Sequence, residues 1–549
     1  MNRTVFAAMT AASILTVGFG ACDAGDTGTT TTDDVAGYKG SLGKADSSAE
    51  AVFLRFEFDA QLTTDYCWST KDAIQDQLLY TIGQLNGDRS LGRLDHLDLT
   101  DVKSSSAGGS CTISYHARMP VAWGKKSSVP SKYVLKLPRN VSYSGQQKFT
   151  EAYKHDCVEW GAHDVDTGSM WYYYRPALSG CRIAADDIHE ITATVSPSPL
   201  QTTGKYPEYH KVWEDDRLEV VAVFGKYEDG KTSGDVGIDG YNRFVEAVRS
   251  ELKTRSLVTV PATLPTNPGV ANPDVELTGT LADGRTVHVV ALLVDNVRTA
   301  GATFDRRYES LSGGADLIIY NGHAGLGANI RALAQKGDWK TGQYVIVFMN
   351  GCDTYAYIDS ALAEAHADVN EDDPIGTKYV DLVSNAQPSF FRSMPAATMA
   401  MVRGLLSYDA PKTYEQIFGG IDSAEVVLVT GENDNVYVPG YGEHEDPPAE
   451  AWAGLAEGAT VKRGEQQKYE TPTLPAGRYR FELKGSGDAD IYVRVGGEPT
   501  LSLYDCRPYL GSSNEVCEVE LGSEAPIYVL VDGYATSSTF ELVGAKLEE

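Results

Sequence analysis

Basic residues are scarce in this chain relative to acidic ones. Lysine and arginine number 47 against 76 aspartates and glutamates among 549 residues, so the formal net charge is −29. Proteins that bind nucleic acid need clustered basic side chains to neutralise phosphates, and this imbalance argues against such a partner. Long apolar segments are also lacking, because after the N-terminus no stretch reaches the roughly twenty residues that a membrane-spanning helix requires. No helix of the chain is therefore expected to span a membrane.

The N-terminus has the layout of an export signal. Arg3 is followed by a short apolar core and by small residues that precede Cys22. Gly20–Ala21–Cys22 resembles the lipobox of bacterial lipoproteins, which implies a signal peptide over residues 1–21 and a lipid on Cys22; ordinary signal cleavage is the alternative. Residues 22–48 are rich in Gly, Thr, Asp and Ser and are predicted to be a disordered tether. We therefore expect an exported protein of the cell envelope that contacts the membrane through a lipid anchor only.

Cysteine is the informative residue type here, because an exported protein meets oxidising conditions in which thiols pair. The chain has eight cysteines, and seven remain if Cys22 carries a lipid. The Cys506–Cys517 pair lies close together near the C-terminus and far from the others. The four N-terminal cysteines pair most simply as Cys67–Cys111 and Cys157–Cys181, although other pairings of these four stay open. Cys352 is then left as an unpaired thiol.

Three folded regions are predicted along the chain. Residues 49–215 mix strand-like and helix-like patterns and are predicted to form an α+β domain held by two disulfides. Residues 216–440 alternate short apolar strands with helices, which is typical of an α/β domain with a mostly parallel sheet covered on both faces. An acidic linker follows at 441–453. Residues 454–549 alternate apolar and polar positions between Gly and Pro turns, which predicts a small all-β sandwich.

Two segments of the α/β region share one construction: a buried strand, then Asn–Gly, then a reactive side chain. They are Asn321–Gly322–His323 and Asn350–Gly351–Cys352. Because ligands bind outside the carboxyl ends of parallel strands, both side chains are expected at one rim of the sheet. An imidazole beside a thiol can take its proton and later protonate a leaving group. We therefore predict that Cys352 is a nucleophile, that His323 is its acid and base, and that the backbone N–H groups of Ala324 and Cys352 donate to an oxyanion.

The order of these two segments resembles that of the caspase-like (clan CD) cysteine peptidases, in which His follows one apolar strand and Cys follows the next. This resemblance implies a caspase-like fold and endopeptidase activity with a Cys–His dyad, although the family usually has His–Gly where this chain has His323–Ala324. Separately, the segment 486–517 resembles the bacterial pre-peptidase C-terminal (PPC) domain, including the Asp488–Ala489–Asp490 turn and the Cys506–Cys517 pair. The second resemblance implies a non-catalytic module that is typically appended to secreted peptidases, and the two together imply a protein or peptide substrate.

Other interpretations of these segments remain. A thiol packed as a small apolar residue and a loop histidine would leave a non-catalytic binding or adhesion lipoprotein on the same scaffold. Asp368, Asn370 and Asp372 open like a calcium loop but lack the glycine and the final glutamate of an EF-hand, so a solvated acidic loop is favoured and a non-EF Ca²⁺ site is the alternative. The aromatic run Trp171–Tyr174 is interpreted as packing rather than as a surface for stacking a ligand. No metal and no other cofactor is expected.

Overall fold

The computed structural model describes residues 46–162, 164–432, 435, 437–440, 452, 454–501, 503–508, 510–521 and 525–547. The chain divides into two compact units on either side of the Gly440–Tyr441 bond. The predicted signal peptide, Cys22 and the tether up to residue 45 lie outside the described residues, as does most of the predicted linker. Among the described residues, no helix has both the length and the apolar composition needed to cross a membrane.

The first part of the N-terminal unit is built on an antiparallel sheet. Its elements are β1 (Ser47–Ser48), β2 (Val52–Thr64), α1 (Thr70–Asn86), β3 (Ser90–Gly92), β4 (Asp98–Ala107), β5 (Ser110–Trp123), β6 (Lys132–Pro138), α2 (Tyr143–Tyr153), α3 (Met170–Tyr173), β7 (Ile188–Pro197) and α4 (Tyr209–Val212). The strand order is β3-β5-β2-β7-β6, and β4 pairs with β5. β2 and β5 alternate buried and less buried residues because one face of the sheet packs on the core. β1, at the end of the predicted tether, instead pairs with a strand of the second sheet.

Two disulfides fasten this region, as predicted. Cys67–Cys111 joins the turn after β2 to the start of β5, and Cys157–Cys181 closes a loop between α2 and β7. Cross-links of this kind stabilise mainly by restricting the unfolded chain. They also fit the oxidising environment of an exported protein.

The second part of the N-terminal unit contains a nine-stranded sheet. Its further elements are β8 (Arg217–Gly225), α5 (Val236–Leu252), β9 (Val258–Val260), β10 (Asp274–Thr280), β11 (Thr286–Val294), α6 (Ala302–Ser312), β12 (Leu317–Asn321), α7 (Ala328–Lys336), β13 (Val345–Asn350), α8 (Ala361–Ala367), β14 (Val380–Asn385), α9 (Met394–Leu405), α10 (Tyr414–Phe418) and β15 (Val427–Gly431). The order is β1-β15-β14-β13-β12-β8-β11-β10-β9. The five strands β11, β8, β12, β13 and β14 pair in parallel, and the remaining pairings are antiparallel.

The sequence explains why these strands sit at the centre. Every residue of β12, β13 and β14 is buried, as expected for short apolar runs in a sheet with both faces covered. Helix α5 begins where the carboxylate of Asp235 accepts hydrogen bonds from the backbone N–H groups of Gly237 and Ile238, at 2.8 and 3.1 Å. From β8 the chain runs to β9 at one edge of the sheet, returns through β10 and β11, and then crosses to β12 on the other side of β8. The connections that follow β8 and β12 therefore lead in opposite directions, and the strand order reverses at β8.

The C-terminal unit is all-β. Its strands are β16 (Leu455–Lys462), β17 (Gln466–Glu470), β18 (Gly477–Ser486), β19 (Ala489–Val495), β20 (Glu515–Leu521), β21 (Ile527–Gly533) and β22 (Ser537–Lys546). They form a four-stranded sheet, β16-β22-β18-β20, and a three-stranded sheet, β17-β21-β19. Residues from both sheets, such as Phe481 and Ile491, share one buried core, and the predicted Cys506–Cys517 disulfide is present. The prediction of a multidomain chain with a β-rich C-terminal part is thereby confirmed.

Candidate functional site

The two Asn–Gly segments end neighbouring parallel strands. β12 and β13 pair with Asn321 opposite Asn350, so the two glycines and then His323 and Cys352 follow in step. β12 also lies beside β8, where the strand order reverses, and open α/β sheets bind ligands at such points. The structure thus brings the predicted histidine and cysteine to one edge of the sheet.

The loops that carry these two residues approach each other closely. A side-chain carbon added to Gly351 would lie 2.8 Å from the carbonyl oxygen of Gly322 and 3.5 Å from the backbone nitrogen of Ala324. The first distance is too short for a carbon–oxygen contact, so only glycine fits at position 351. This approach sets the spacing between the loop of His323 and the loop of Cys352.

A buried hydrogen-bond network holds the strand ends beneath the site. The Nδ2 group of Asn350 donates to Oδ1 of Asn321 at 2.9 Å, and the hydroxyl of Thr398 donates to the same oxygen at 2.9 Å. Ser389 donates to Oδ1 of Asn350 at 2.7 Å and lies 3.2 Å from a carboxyl oxygen of Glu425, whose pKa is raised by burial. Buried polar groups that bond one another fix a local geometry. Sequence reasoning missed this network, because its members come from distant segments without a shared motif.

The ring of His323 is positioned by a hydrogen bond from one of its nitrogens and by two aromatic neighbours. Its Nε2 lies 3.0 Å from the carbonyl oxygen of Tyr227, which can only accept, so Nε2 carries the proton. The ring centroids of Tyr227 and Phe391 lie 5.3 and 5.0 Å from that of the imidazole. The backbone carbonyl of His323 accepts from the Tyr320 hydroxyl at 2.8 Å and from Nδ2 of Asn329 at 2.7 Å. In the neutral ring, the lone pair on Nδ1 is therefore the site that accepts a proton.

Cys352 lies at the same edge of the sheet as His323, but it is not the unpaired thiol that the sequence predicted. Its side chain is 9% exposed, and its sulfur lies 3.7 Å from the carbonyl oxygen of Ser389. The sulfur is disulfide-bonded, and the described residues include no free cysteine. The prediction of an odd cysteine depended on removing Cys22 from an even total of eight. The prediction that Cys352 is an unpaired thiol is therefore wrong.

His323 and Cys352 line one narrow pocket. The other residues of its wall are Tyr172, Ala324, Gly325, Leu326 and Tyr357. The backbone of Ala324, predicted as an oxyanion donor, therefore lies at the pocket. The cavity has a volume of about 10 Å³, which is the space of a single water molecule. A group larger than one water molecule can enter only if part of the wall moves.

Part of that wall belongs to the first sheet region. Helix α3 (Met170–Tyr173), called here the cover segment, places Tyr172 in the pocket, and the ring of Trp171 packs edge-on at 6.4 Å from that of Tyr357. Trp171 and Tyr172 are 4% and 6% exposed, so these aromatics pack rather than present a stacking surface. The cover segment is the element whose movement would open the pocket.

The cover segment is tied to the residue that follows Cys352. The hydroxyl of Tyr172 and the side-chain amide of Asn86 each donate to one carboxyl oxygen of Asp353, both at 2.8 Å. Asp353 is 1% exposed, and its burial raises its pKa from 3.8 to about 7. The folded protein therefore holds a proton on Asp353 that the unfolded chain releases between these two pKa values.

Rising pH should lower the stability of the fold through Asp353, because the buried carboxyl loses its proton. Between about pH 4 and 7 the folded state binds more protons than the unfolded state, so the natural protein loses stability as the pH rises. Asp353→Asn has no such proton to lose, so its free energy of unfolding relative to that of the natural protein should increase by roughly 1.4 kcal/mol for each pH unit in that window. Urea unfolding of both proteins at pH 5, 6, 7 and 8 measures the difference. Asp186→Asn, at an exposed position, is the matched control and should show no such trend. Parallel curves for Asp353→Asn and the natural protein would contradict the assignment.

The acidic loop considered for calcium is engaged by protein groups. Asp372 pairs with Lys378 at 2.6 Å, and the Oδ1 atom of Asn370 accepts from the backbone N–H of Gly342 at 2.7 Å. In the part of the chain that the structure describes, no cluster of three or more His, Cys, Asp or Glu side chains is arranged to hold a metal ion. The alternative of a Ca²⁺ site at this loop has no such ligand cluster among the described residues.

Comparisons with known proteins reach only part of the chain. No protein-family model matches it. It is 33% identical over 95 residues to the alkaline serine exoprotease A of Vibrio alginolyticus, covering 17% of this chain and 18% of that protein. It is 44% identical over 54 residues to the virulence metalloprotease of Vibrio anguillarum, covering 10% and 9% of the two chains. A zinc metalloprotease of Helicobacter pylori is 33% identical over 82 residues, which cover 15% of this chain and 32% of that one.

Solved structures similar to this chain match it with low TM-scores. A solution structure of vEP C-ter 100 is 30% identical and covers 18% of this chain and 92% of that chain, with a TM-score of 0.15. The periplasmic lysozyme inhibitor PliG of Aeromonas hydrophila is 15% identical over 18% of this chain and 90% of that chain, with a TM-score of 0.16. Scores this low support no argument about the fold. In all, the chain spans less than a third of each curated relative named above.

These comparisons correct the family resemblance inferred from the sequence. The curated proteins that the chain matches are metalloproteases and a serine exoprotease, so the assignment to the caspase-like cysteine peptidases is wrong. The motif misled because it consists of two short blocks. A strand followed by Asn–Gly and a reactive side chain is a local solution to ending a buried strand, and it does not by itself identify a family.

Proposed function

We propose that this protein is an exported, latent hydrolase of peptide bonds in which His323 and the reduced form of Cys352 react. The observation that carries the proposal is the pairing of Asn321 with Asn350, which brings both side chains to the wall of one pocket at the reversal of strand order. The proposed substrate class, protein or peptide, is supported by the relatives that share a segment with the chain, which are named as proteases.

The proposed chemistry assigns one role to each group. Nδ1 of His323 accepts the thiol proton, and the thiolate of Cys352 attacks the carbonyl carbon of the peptide bond. The backbone N–H groups of Ala324 and Cys352 donate to the oxyanion. The imidazolium protonates the leaving amine as the C–N bond breaks, and water then hydrolyses the thioester and restores the thiol.

Two features keep the proposed site latent. The sulfur of Cys352 is oxidised, so a dithiol must first deliver two electrons and two protons to its disulfide and become a disulfide itself. The cover segment must also move, because the closed pocket admits only one water molecule. Release of the cover by proteolysis or by substrate binding would meet the second requirement.

The comparisons support a peptidase-related role for the C-terminal unit as well. One relative is a serine exoprotease and others are metalloproteases, yet each shares a segment of 54 to 95 residues with this chain. A segment common to enzymes with different chemistries does not supply the reacting groups. Its length fits the sandwich that runs from β16 to β22, so we assign that sandwich as an accessory module of proteases. Lipidation of Cys22 stays a prediction.

Alkylation of the reduced protein tests the reacting pair. The full chain is treated with a dithiol under native conditions, and carboxamidomethylation of Cys352 by iodoacetamide is followed by mass spectrometry from pH 5 to 9. An activated thiol should react about tenfold faster near pH 7 than in His323→Ala, because the imidazole raises its thiolate fraction. His116→Ala, on β5 of the first sheet, is the matched control and should leave the rate unchanged.

The same experiment separates the rival function. If Cys352 reacts at the rate of an ordinary thiol and His323→Ala changes nothing, the pair is not catalytic. The chain is then better described as a non-catalytic binding protein, a role that the bonded sulfur and the closed pocket also fit. The cysteines released from the three other disulfides provide the ordinary rate within the same sample.

A further inference from the structure

A second, open pocket lies on the first part of the N-terminal unit, and exposed aromatic side chains border it. Its volume is about 520 Å³, within the usual range for small ligands. Trp68 is 85% exposed and Tyr143 is 73% exposed, and both border the pocket with Tyr66. Apolar rings clustered around a cavity leave water in contact with a large apolar area unless a ligand covers them.

The backbone that carries these rings is fixed. Trp68 stands between Cys67, which is bonded to Cys111, and the residue that caps α1, Ser69. Tyr143 is the first residue of α2, whose N-terminus is capped by Ser142. The backbone on either side of the rings is therefore fixed by a disulfide and by helix caps, while the rings of Trp68 and Tyr143 are exposed to solvent.

The shape and charge of the pocket indicate the kind of ligand. The rings of Tyr66 and Trp68 lie 5.8 Å apart and are inclined at 49°, so they form a corner rather than a flat platform. Asp65 and Asp76 are the charged side chains of the wall, and none of its described residues is Lys or Arg. The Asp76 carboxyl accepts hydrogen bonds from the Tyr66 hydroxyl and, at 3.4 Å, from Nε2 of Gln146, and burial raises the pKa of Asp76.

We propose that this pocket binds an organic ammonium cation between the rings of Tyr66, Trp68 and Tyr143, with Asp65 and Asp76 supplying the opposite charge. Aromatic faces attract cations, and tryptophan does so most strongly. A cation above Asp76 also offsets the cost of burying a carboxylate. The cation is either the quaternary head of choline or the primary amine of a lysine side chain. This site is independent of the pocket at His323.

Calorimetric titration of the full chain tests the proposal with three probes. They are choline, N-acetyl-lysine methylamide, and 3,3-dimethylbutan-1-ol, which is the neutral isostere of choline with a tert-butyl group in place of the trimethylammonium group. Choline or the lysine derivative should bind, and whichever binds identifies the source of the ammonium group. The neutral isostere should bind at least about tenfold more weakly than choline if the quaternary head is the ligand, because it has the same shape without the charge.

Matched variants place the binding at this pocket. Trp68→Ala should weaken the binding of the cation about tenfold, and Asp65→Asn should weaken it while leaving any binding of the neutral isostere unchanged. Trp160→Ala removes another exposed tryptophan, 96% exposed and away from this pocket, and should have no effect. Circular dichroism confirms that each variant is folded. Failure of both cations to bind, equal binding of the neutral isostere and choline, or full binding by Trp68→Ala would overturn the proposal.

Discussion

Replacement of Lys205 by methionine is expected to lower the free energy of unfolding of the N-terminal unit by about 3–5 kcal/mol. The Nζ of Lys205 lies 2.6 Å from Asp381 in β14 and 3.9 Å from Glu432, just after β15, and the three side chains are at most 2% exposed. It also donates to the carbonyl oxygen of Gly431 at 2.6 Å. Removing the ammonium group would leave two buried carboxylates without their counter-charge, which costs far more than the lost contact alone.

Urea unfolding of the two proteins under non-reducing conditions measures this loss as a shift in midpoint. Lys211→Met is the matched control, because the Lys211 side chain is 41% exposed and lies 3.9 Å from an exposed Glu214; it should change the unfolding free energy by about 0.5 kcal/mol or less. Adding Asp381→Asn to Lys205→Met should restore part of the stability, since the two side chains interact directly. Equal midpoints for Lys205→Met and Lys211→Met would show that the buried ion pair contributes nothing.

This ion pair illustrates what the sequence pattern cannot predict. Lys205 lies in an irregular segment with no motif, 176 positions before Asp381, and no periodicity connects the two. The strands themselves were predictable, because their apolar runs have lengths and turn residues that few other elements share. The alignment of Asn321 with Asn350 was predictable as well, because each asparagine ends its strand and the two strands are adjacent and parallel.

The candidate site shows the same division. The positions of His323, Ala324 and Cys352 at one pocket follow from the rule that parallel strands end at a common edge. The state of the Cys352 sulfur and the closure by Tyr172 do not follow, because both depend on parts of the chain brought there by tertiary packing. Local sequence patterns therefore predicted where the reactive side chains lie, but they did not predict the disulfide or the closed pocket that limit access to them.

Substitution of a single glycine should open the pocket without replacing any residue of its wall. A side-chain carbon on Gly83 of α1 would lie 2.3 Å from the carbonyl oxygen of Trp171 and 2.8 Å from that of Tyr172, so Gly83→Ala must displace the cover segment. Gly180→Ala, with no atom within 4 Å of the added carbon, is the matched control. After reduction, Gly83→Ala should hydrolyse a fluorogenic peptide library faster than either the natural protein or the control.

The largest effect on activity is expected when His323→Ala is added to Gly83→Ala. Loss of the general acid and base should lower kcat/KM for the peptide substrates by about 10²–10⁴-fold. Cys352→Ser in the same background should abolish turnover, since a serine hydroxyl beside one imidazole is a much weaker nucleophile than a thiolate. If hydrolysis in Gly83→Ala survives both substitutions, the reacting groups lie elsewhere. If the opened and reduced protein hydrolyses nothing while Cys352 still alkylates rapidly, the thiol is activated for a reaction other than peptide hydrolysis, because access and reactivity would both have been supplied.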